Sequence, residues 1–304
     1  MTILSSPVCE ISFLNSSFFV KRDDLLDRDF SGNKARKFYY FLKNDFPRIK
    51  RVVSYGSSQS NAMYSISVLA KLKGWEFYYF TNHISSYLKK NPHGNYKAAL
   101  ENGMKIFENR KDFMKEIGEK EDSLFIKEGG AVKESEYGIK ILAKEIEEFI
   151  KERGLKDPKV FLPSGTGTTA LYLQKHLPFS VYTCACVGDE DYLKKQFFQL
   201  ERDENIHPKI LKLDKKYHFG KLYGEFYAIW LRLLKETGIE FDLLYDPKGW
   251  LVIEKYLDIF KKDTVYVHQG GILGNESMKK RYERKFSIDK NSDCGKLSES
   301  YQLG

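Results

Sequence analysis

The sequence predicts an α/β protein with two domains, in which largely parallel β-sheets are flanked by helices. The first observation is that short apolar runs alternate with segments of helical periodicity for most of the chain. The second is size, because 304 residues, 42% of them hydrophobic, are enough for a large core and for two domains. The third is a polar break at residues 154–158, after which a second α/β unit begins.

The first α/β unit is predicted over roughly residues 50–155, after an apolar run, Phe18–Val20, that is typical of a strand end. Its predicted strands are Arg51–Ser54, Trp75–Thr81, Met104–Glu108 and Leu124–Lys127. Its predicted helices are Asn61–Lys73, Tyr96–Asn102 and Tyr137–Glu152.

The second α/β unit is predicted from Lys159 onward, and only the tail from about Asp289 to Gly304 is expected to be weakly ordered. Its predicted strands are Lys159–Leu162, Phe179–Val187 and Thr264–His268. Its predicted helices are Thr168–Lys175, Glu225–Glu236 and Gly249–Lys261.

Charge and cysteine usage argue against several classes of protein. The net charge is +8, but the basic residues are interleaved with 42 acidic ones, so we expect no nucleic-acid partner. No targeting segment or membrane-length apolar stretch is present, which predicts a cytoplasmic protein with no membrane partner. Cys9, Cys184, Cys186 and Cys294 lack the spacing of a zinc site or a disulfide framework, so we expect reduced thiols and no metal.

The segment Phe30–Lys37 contains a lysine in a setting suited to covalent chemistry. Gly32 and Asn33 indicate a turn, and an amphipathic run begins at Ala35, which puts Lys34 where a turn enters a helix. Neighbouring cations and the positive end of a helix both disfavour an ammonium. Lys34 is therefore a candidate Schiff-base lysine with a lowered pKa.

Two polar loops each join a strand to a helix. The loop Ser54–Asn61 suits an anionic or polar ligand, and it is equally explained by a helix cap at Ser60 or Asn61. The loop Pro163–Ala170 has glycines and hydroxyl groups that can surround a phosphate. It also matches the looser dinucleotide-binding fingerprint, with Asp189 about 20 residues on, so a nicotinamide or flavin enzyme is an alternative.

Two further segments are candidates for the same site. The turn Asp242–Gly249 contains a tyrosine and a carboxylate that suits a protonated heteroaromatic nitrogen, although an Asx turn also explains it. In Val267–Gly271, the histidine is interpreted as structural, and the two glycines allow a tight turn or the close approach of a ligand.

Taken in order along the chain, these segments resemble the fold-type II pyridoxal-phosphate enzymes, and within them the group of 1-aminocyclopropane-1-carboxylate deaminase and D-cysteine desulfhydrase. The resemblance covers about residues 18–275. The matching residues are Lys21–Asp24, Gly32–Lys37, Gln59–Asn61, Glu128–Gly130, Ser164–Thr169, Tyr223–Gly224, Tyr245–Asp246 and His268–Gly271.

The resemblance implies a tryptophan-synthase-β-like architecture, with residues 49–155 as a small domain and residues 1–48 plus 156–304 as a large domain that binds pyridoxal phosphate. It implies a homodimer with the active site in the cleft between the domains. Lys34 would hold the cofactor aldehyde, Asn61 the ring hydroxyl, and Lys37 the phosphate together with the glycine loop. Ser60, Tyr223 and Tyr245 would face the substrate. The phosphate loop comprises Gly165, Thr166, Gly167, Thr168 and Thr169.

The segment after Tyr245 departs from the pattern of the group. Asp246-Pro247-Lys248 stands where Thr or Glu followed by Gly-Lys is usual, so the predicted contact of Asp246 with the ring nitrogen rests on a shorter acid. Asp246 and Ile272 favour the deaminase pattern. The leading hypothesis is a deaminase or lyase that converts a small amino acid to a 2-oxo acid and ammonia. The alternatives are the dinucleotide-dependent oxidoreductase and a catalytically silent binding protein with this fold.

Overall fold

The computed structural model describes residues 5–30 and 32–286, so the predicted weakly ordered tail and Cys294 lie outside the described residues. The strands are β1 (Val8–Phe13), β2 (Ser16–Arg22), β3 (Arg51–Tyr55), β4 (Glu76–Thr81), β5 (Met104–Glu108), β6 (Ser123–Ile126), β7 (Lys159–Ser164), β8 (Ser180–Ala185), β9 (Lys209–Ile210) and β10 (Thr264–His268). The helices are α1 (Gly32–Lys43), α2 (Asn61–Lys73), α3 (Ser86–Lys90), α4 (Gly94–Glu101), α5 (Lys111–Gly118), α6 (Ser135–Arg153), α7 (Thr168–His176), α8 (Glu190–Leu200), α9 (Gly224–Thr237), α10 (Asp246–Lys255), α11 (Leu257–Phe260) and α12 (Asn275–Phe286).

One sheet has six strands in the order β1-β2-β10-β7-β8-β9. β1 pairs antiparallel with β2, and the other neighbours pair in parallel. Because successive side chains point to opposite faces, Val160 and Leu162 pack with α6 and α7, whereas Phe161 packs in the cluster that contains Trp250 of α10 and Ile229 of α9. Both faces of this sheet are therefore covered, as is usual for parallel strands.

The second sheet has four parallel strands in the order β5-β4-β3-β6. Val52 and Phe77 pack on one face against apolar residues of α1, α2 and α4, and Val53 and Phe80 pack on the other face against Ile117 of α5. The two sheets confirm the α/β fold with parallel sheets flanked by helices that the sequence predicted. Among the described residues, no helix is both long enough and apolar enough to cross a membrane.

The helices α1 and α6 each pack on a different sheet from the one formed by the strands of their predicted domain. α1 contributes Ala35 and Phe38 to the core of the four-stranded sheet. α6 contributes Ile139 and Leu142 to the core of the six-stranded sheet. The two helices also pack against each other, and a β-carbon on Gly138 of α6 would overlap with backbone atoms of α1. The division into residues 49–155 and residues 1–48 plus 156–304 stays a prediction.

The predicted elements agree with the structure at several positions and differ at the ends of others. The helix expected at Gly249–Lys261 begins earlier, at Asp246, because Pro247 fits a first helical turn, where its missing N–H group is not needed. The same expected helix is divided into α10 and α11 at Tyr256. α1 begins at Gly32 rather than Ala35, so Lys34 lies inside its first turn. Exact agreement is found for α2, β5 and β10, and the sequence did not predict β1, β9, α3, α5, α8 or α12.

The polar loops chosen from the sequence follow the carboxyl ends of parallel strands. β3 leads into residues 56–60, β7 into residues 165–167, and β10 into residues 269–271. Ligands of open α/β sheets usually bind at this edge of the strands. The fold therefore brings these loops toward one region, together with the N-terminus of α1.

Candidate active site

The N-terminus of α1 is fixed against the loop that follows β10. The backbone nitrogen of Asn33 donates a hydrogen bond to the carbonyl oxygen of Gln269 at 2.9 Å, and the two side chains are bonded at 2.9 Å. A β-carbon on Gly32 would overlap with the Gln269 backbone, and one on Gly270 would lie 2.9 Å from the α-carbon of Gly32. α1 therefore begins at a defined position relative to β10.

Lys34 lies in the first turn of α1, and its amine donates a hydrogen bond to the Asn33 side-chain oxygen at 3.1 Å. Burial lowers the pKa of Lys34 to about 8, while the Asp242 carboxylate opposes this shift. The lowered pKa of Lys34 agrees with the sequence prediction. The cause differs, because the sequence predicted repulsion by neighbouring cations and by the positive end of the helix. Removal of water from the ammonium lowers this pKa, and Arg36 points elsewhere.

Arg36 belongs to a buried ion network on the opposite side of α1. Its guanidinium bonds the Asp23 carboxylate at 2.9 and 3.1 Å and the Glu145 carboxylate with two bonds of 2.7 Å. Lys21 pairs with the same Glu145 at 2.6 Å. This network joins β2, α1 and α6, and it holds α1 in place behind Lys34.

Lys37 lies one helical turn after Lys34 and reaches toward the glycine loop. Its amine donates hydrogen bonds to the carbonyl oxygen of Gly129 at 3.1 Å and to the Thr166 hydroxyl at 3.4 Å. Burial, and then the charge of Lys34, lower the pKa of Lys37 well below its ordinary value. A second lysine amine therefore lies between α1 and the loop after β7.

The glycine loop enters α7 at Thr168. Gly167 has φ +71° and its α-carbon faces Phe197 and Leu193, so a side chain there would be both strained and obstructed. The hydroxyls of Thr166 and Thr168 are 3.1 Å apart. The Thr169 hydroxyl oxygen is buried and has no hydrogen-bond partner among the described residues. This helix N-terminus, with its free hydroxyl and nearby lysine, suits an anionic group.

Ser60 and Asn61 have different partners at the start of α2. The Ser60 hydroxyl accepts hydrogen bonds from the backbone nitrogens of Ala62 at 3.1 Å and Met63 at 3.4 Å, which makes Ser60 the N-cap. The Asn61 side-chain oxygen accepts a hydrogen bond of 2.6 Å from Asn95 of α4. The Asn61 amide nitrogen and the second oxygen of the Asp242 carboxylate both border Gly271, where a β-carbon would lie 2.5 and 2.9 Å from them. The cap explanation therefore holds for Ser60, whereas the Asn61 side chain is bonded to Asn95 and borders Gly271.

Two acids, Asp242 in the turn before α10 and Asp246 at the first position of α10, have different surroundings. The predicted residue, Asp246, accepts hydrogen bonds from the Tyr266 hydroxyl at 2.5 Å and from the backbone nitrogen of Asp242 at 2.9 Å. Burial and the charge of Asp242 raise the pKa of Asp246 well above its ordinary value. Asp242, which the sequence did not single out, lies beside Lys34 and Asn61, and burial raises its pKa to about 6.

The two predicted tyrosines lie in different places. The Tyr245 ring faces the glycine loop, where a β-carbon on Gly165 would lie 3.4 Å from the ring, and burial raises the pKa of Tyr245 far above its ordinary value. The Tyr223 hydroxyl accepts a hydrogen bond from the backbone nitrogen of His218 at 2.9 Å, and its ring contacts the Tyr217 ring. The ring and hydroxyl of Tyr223 thus contact its own chain segment, residues 215–226, whereas Tyr245 adjoins the phosphate-type loop.

His268 and Asp189 have structural partners. The buried His268 ring donates to the carbonyl oxygen of Glu240 at 2.9 Å and accepts from the backbone nitrogen of Gly270 at 3.1 Å. Burial lowers the pKa of His268, which matches the structural interpretation from the sequence. Asp189 caps α8 by accepting a hydrogen bond from the backbone nitrogen of Tyr192 at 2.9 Å.

Together these residues provide an amine of lowered pKa, a carboxylate and amide beside it, and an anion-type loop within reach of a second lysine. Asp242 and Asn95 are the residues that sequence reasoning missed. Asp242 was visible as an acid in the turn Asp242–Gly249, but Asn95 carried no signal in the sequence. Among the described residues, no cluster of His, Cys, Asp and Glu could hold a metal ion.

The comparisons with known proteins identify similar structures and no similar curated sequence. No protein-family model and no curated protein matches this chain. Among solved structures, an ACC deaminase homologue has a TM-score of 0.73 at 21% identity, over 91% of this chain and 93% of that chain. A hydrogen sulfide-producing enzyme from Fusobacterium nucleatum has a TM-score of 0.64 at 12% identity, over 88% and 94% of the two chains.

A pyridoxal 5'-phosphate-dependent aspartate racemase has a TM-score of 0.60 at 12% identity and covers 88% of this chain and 90% of its own. The three enzymes carry different activities in their descriptions, so their shared likeness to this chain concerns architecture. All three alignments span nearly the full length of both chains. The chain therefore has the fold-type II fold of pyridoxal-phosphate enzymes, which confirms the fold that the sequence resemblance predicted.

Proposed function

We propose that this protein is a pyridoxal-phosphate-dependent deaminase or lyase that converts a small amino acid, of the 1-aminocyclopropane-1-carboxylate or D-cysteine type, to a 2-oxo acid and ammonia. The observation that carries the proposal is Lys34, whose pKa is lowered to about 8 by burial beside an acid and an amide. An amine that loses its proton near neutral pH suits the covalent capture of an aldehyde.

The residues present fit the phosphate of this cofactor. The buried Thr169 hydroxyl lacks a partner among the described residues, at the N-terminus of a helix whose positive end favours an anion. The Lys37 amine is 3.4 Å from the Thr166 hydroxyl in the same loop. We therefore assign the phosphate to Lys37 and the loop Gly165–Thr169.

The other groups of the chain fit the remainder of the cofactor and the substrate. When bound, pyridoxal phosphate supplies a conjugated ring that takes up the electron pair released from the substrate carbon. Lys34 would hold the aldehyde and, once freed, accept or return a proton at its nitrogen. Asn61 would donate to the ring hydroxyl. Tyr245 and Ser60 would line the substrate side, and we keep Tyr223 and Asp246 as candidates for the roles that the resemblance implies.

The test combines covalent attachment with turnover. The purified chain is incubated with pyridoxal phosphate, and its visible absorption band is followed before and after borohydride, with peptide mapping of the labelled lysine. We expect the label on Lys34 and no band in Lys34→Ala, whereas Lys43→Ala, at the exposed end of the same helix, keeps the band. A band that survives in Lys34→Ala would contradict the assignment.

Turnover is measured as 2-oxo acid formation from D- and L-amino acids and from 1-aminocyclopropane-1-carboxylate. Product from at least one small amino acid, lost in Lys34→Ala, is the expected result. Ligand binding without product across the panel would support the alternative of a catalytically silent binding protein. That alternative is favoured by one observation, namely that both oxygens of Asp246 already accept hydrogen bonds from within the protein. A homodimer and a cytoplasmic location stay predictions from the sequence.

The oxidoreductase alternative has less support from the geometry. It requires Asp189 to bind a ribose, but this carboxylate already caps α8. The oxidoreductase alternative also leaves Lys34, Asn61 and Asp242 without a role. We expect no dinucleotide in the purified protein.

A further inference from the structure

Two buried acids lie at the start of α10, Asp242 in the preceding turn and Asp246 as the first helical residue, and of the two Asp242 acts on Lys34 through its charge. Both oxygens of Asp246 accept hydrogen bonds from within the protein, from the Tyr266 hydroxyl and the backbone nitrogen of Asp242. One oxygen of Asp242, Oδ1, accepts from the backbone nitrogens of Leu244 at 2.8 Å and Tyr245 at 2.6 Å. Its second oxygen, Oδ2, borders Gly271.

The second oxygen of Asp242 lies beside the amide nitrogen of Asn61. A β-carbon on Gly271 would be 2.9 Å from Oδ2 of Asp242 and 2.5 Å from Nδ2 of Asn61, so both atoms border the space above this glycine. Burial raises the pKa of the Asp242 carboxyl, and hydrogen bonding from the Asn61 side chain opposes that shift. The absence of a side chain at Gly271 therefore allows the acid and the amide to meet.

The orientation of the Asn61 amide is set from its other end. Nδ2 of Asn95, a buried side chain on α4, donates to Oδ1 of Asn61 at 2.6 Å and to the carbonyl oxygen of Gln59 at 3.1 Å. Because Asn95 occupies the oxygen of Asn61, the nitrogen is the atom that faces Asp242. A polar chain thus runs from α4 through α2 to the turn before α10.

Charge connects the same acid to Lys34. Among the groups that act on Lys34, the Asp242 carboxylate raises the pKa of the amine against the effect of burial, and Lys34 lowers the pKa of the acid in return. The other titratable groups nearby are Lys37 on α1, whose pKa is lowered by burial and then by Lys34, and Asp246, whose pKa is raised by burial and then by Asp242. Tyr245 faces Asp242 from the same turn. Asp242 is therefore an acid whose charge favours the protonated form of Lys34.

We propose that Asp242 is a positioning residue of this site, because its second carboxylate oxygen fixes the Asn61 amide and serves as the counter-charge of Lys34. The proposal deepens the proposed function and rests on it where the cofactor is concerned. The contacts themselves, however, are between groups of the chain. It assigns to Asp242 a role that the sequence pattern gave to no residue, and it separates that role from Asp246.

The first experiment measures Lys34 without the cofactor reaction. Full-length protein is treated with hydroxylamine to remove bound carbonyl compounds, then methylated with isotopic formaldehyde and cyanoborohydride between pH 6 and 10. Mass spectrometry gives the labelling rate of the Lys34 peptide. In Asp242→Asn we expect the midpoint to fall by about one pH unit and the rate at pH 7 to rise about fivefold, because an opposite charge has been removed.

Asp246→Asn is the matched control, since it neutralises the neighbouring acid of the same turn. We expect its Lys34 midpoint to remain at the wild-type value, and Asp242→Glu, which keeps the charge, to stay within about half a unit of that value. An unchanged midpoint in Asp242→Asn, or an equal shift in Asp246→Asn, would overturn the counter-charge role. Circular dichroism and thermal unfolding of each variant identify any loss of folding.

The second experiment tests the link to Asn61 as a double-mutant cycle on pyridoxal phosphate affinity. Asn61→Ala and Asp242→Asn are each expected to weaken binding about tenfold, and the double variant no more than about twofold beyond either one. Strictly multiplicative effects would refute the positioning of Asn61 by Asp242. If the wild type binds no pyridoxal phosphate, the proposed function fails, while the labelling experiment still tests the contact of Asp242 with Lys34.

Discussion

At the scale of single residues, the site depends on the missing side chain of a glycine as well as on the side chains that surround it. Gly271 has φ +88°, and its missing side chain leaves room for the Asn61 amide beside the Asp242 carboxylate. At Lys34 it is water that is missing, because burial, rather than a neighbouring cation, lowers the pKa of this amine. A sequence identifies such residues by type, but burial becomes visible only in the fold.

Gly271→Ala is predicted to disrupt this site more than a glycine substitution elsewhere. The new β-carbon would meet the Asn61 amide and the Asp242 carboxylate, so we expect the free energy of unfolding to fall by about 2–4 kcal/mol, from left-handed strain and overlap together. Gly238→Ala is the control, because Gly238 has φ +69° and open space, and it should lose only about 1 kcal/mol. Urea unfolding measures both, and equal losses would contradict the prediction.

At the scale of elements, α1 is held by contacts at both sides. Its N-terminus is bonded to the loop after β10, and its flank lies against α6, where a β-carbon on Gly138 would overlap with the carbonyl oxygen of Arg36. Helical periodicity predicted α6 to within a few residues, but it could not show that a glycine on this helix is a point of contact. α12 was missed because its sequence, Asn275–Phe286, is mostly charged, with few apolar residues to mark a buried face.

Gly138→Ala should reverse the usual effect of this substitution in a helix. Alanine normally stabilises a helix interior relative to glycine by about 1 kcal/mol, yet here the helices must separate, so we expect a net loss of about 1–3 kcal/mol. Because α1 carries Lys34 and Lys37, the affinity for pyridoxal phosphate should fall as well. Lys140→Ala, on the exposed side of α6, should change stability by less than about 0.5 kcal/mol. A stabilised Gly138→Ala variant would refute the close contact.

At the scale of the whole molecule, a buried ion network ties the start of the chain to both cores. Arg36 of α1 bonds Asp23 and Glu145, and Lys21 of β2 joins at Glu145. Burial alone would raise the pKa of Glu145, but the hydrogen bonds and charges of Arg36 and Lys21 outweigh it and lower the pKa. α1, which lies on the four-stranded sheet, is thereby joined to β2 of the six-stranded sheet.

Arg36→Met is predicted to leave the Asp23 carboxylate without its cation in the interior, and Glu145 with Lys21 as its remaining partner. We expect the free energy of unfolding to fall by about 3–5 kcal/mol, since breaking a buried pair from one side is strongly destabilising. Lys144→Ala breaks an exposed pair with Glu148 on α6 and should lose less than about 0.5 kcal/mol. Similar losses in the two variants, measured by urea unfolding, would show that the network contributes little.

The same network predicts a dependence on acid. Because the folded-state pKa of Glu145 lies below its ordinary value of 4.5, its contribution to stability is complete above that pH and is lost as the pH falls through the folded-state value. The stability difference between wild type and Glu145→Gln should therefore be largest at neutral pH and shrink toward pH 3. A difference that grows on acidification would contradict the assigned charge state.

Most of the architecture could be predicted from the sequence, because the alternation of apolar strands and helices is local information. The loop around Gly165–Thr169 could also be predicted, since glycines and hydroxyls after a strand are a recognisable pattern. The choice between Asp242 and Asp246 could not, because both acids lie in one short turn and only the fold decides which one faces Lys34. Asn95 is similar, since its partner Asn61 is distant in sequence.

The backbones of Gly32 and Gly270 cross so closely that this crossing limits which substitutions the two positions can accept during evolution. Each glycine leaves no room for a side chain on the other, so a substitution at either position cannot be compensated by shrinking its neighbour, which is already the smallest residue. Divergent relatives that keep this crossing should therefore retain glycine at both positions even where the rest of the sequence has changed. The pair offers a marker for recognising distant relatives when overall identity is too low to align them.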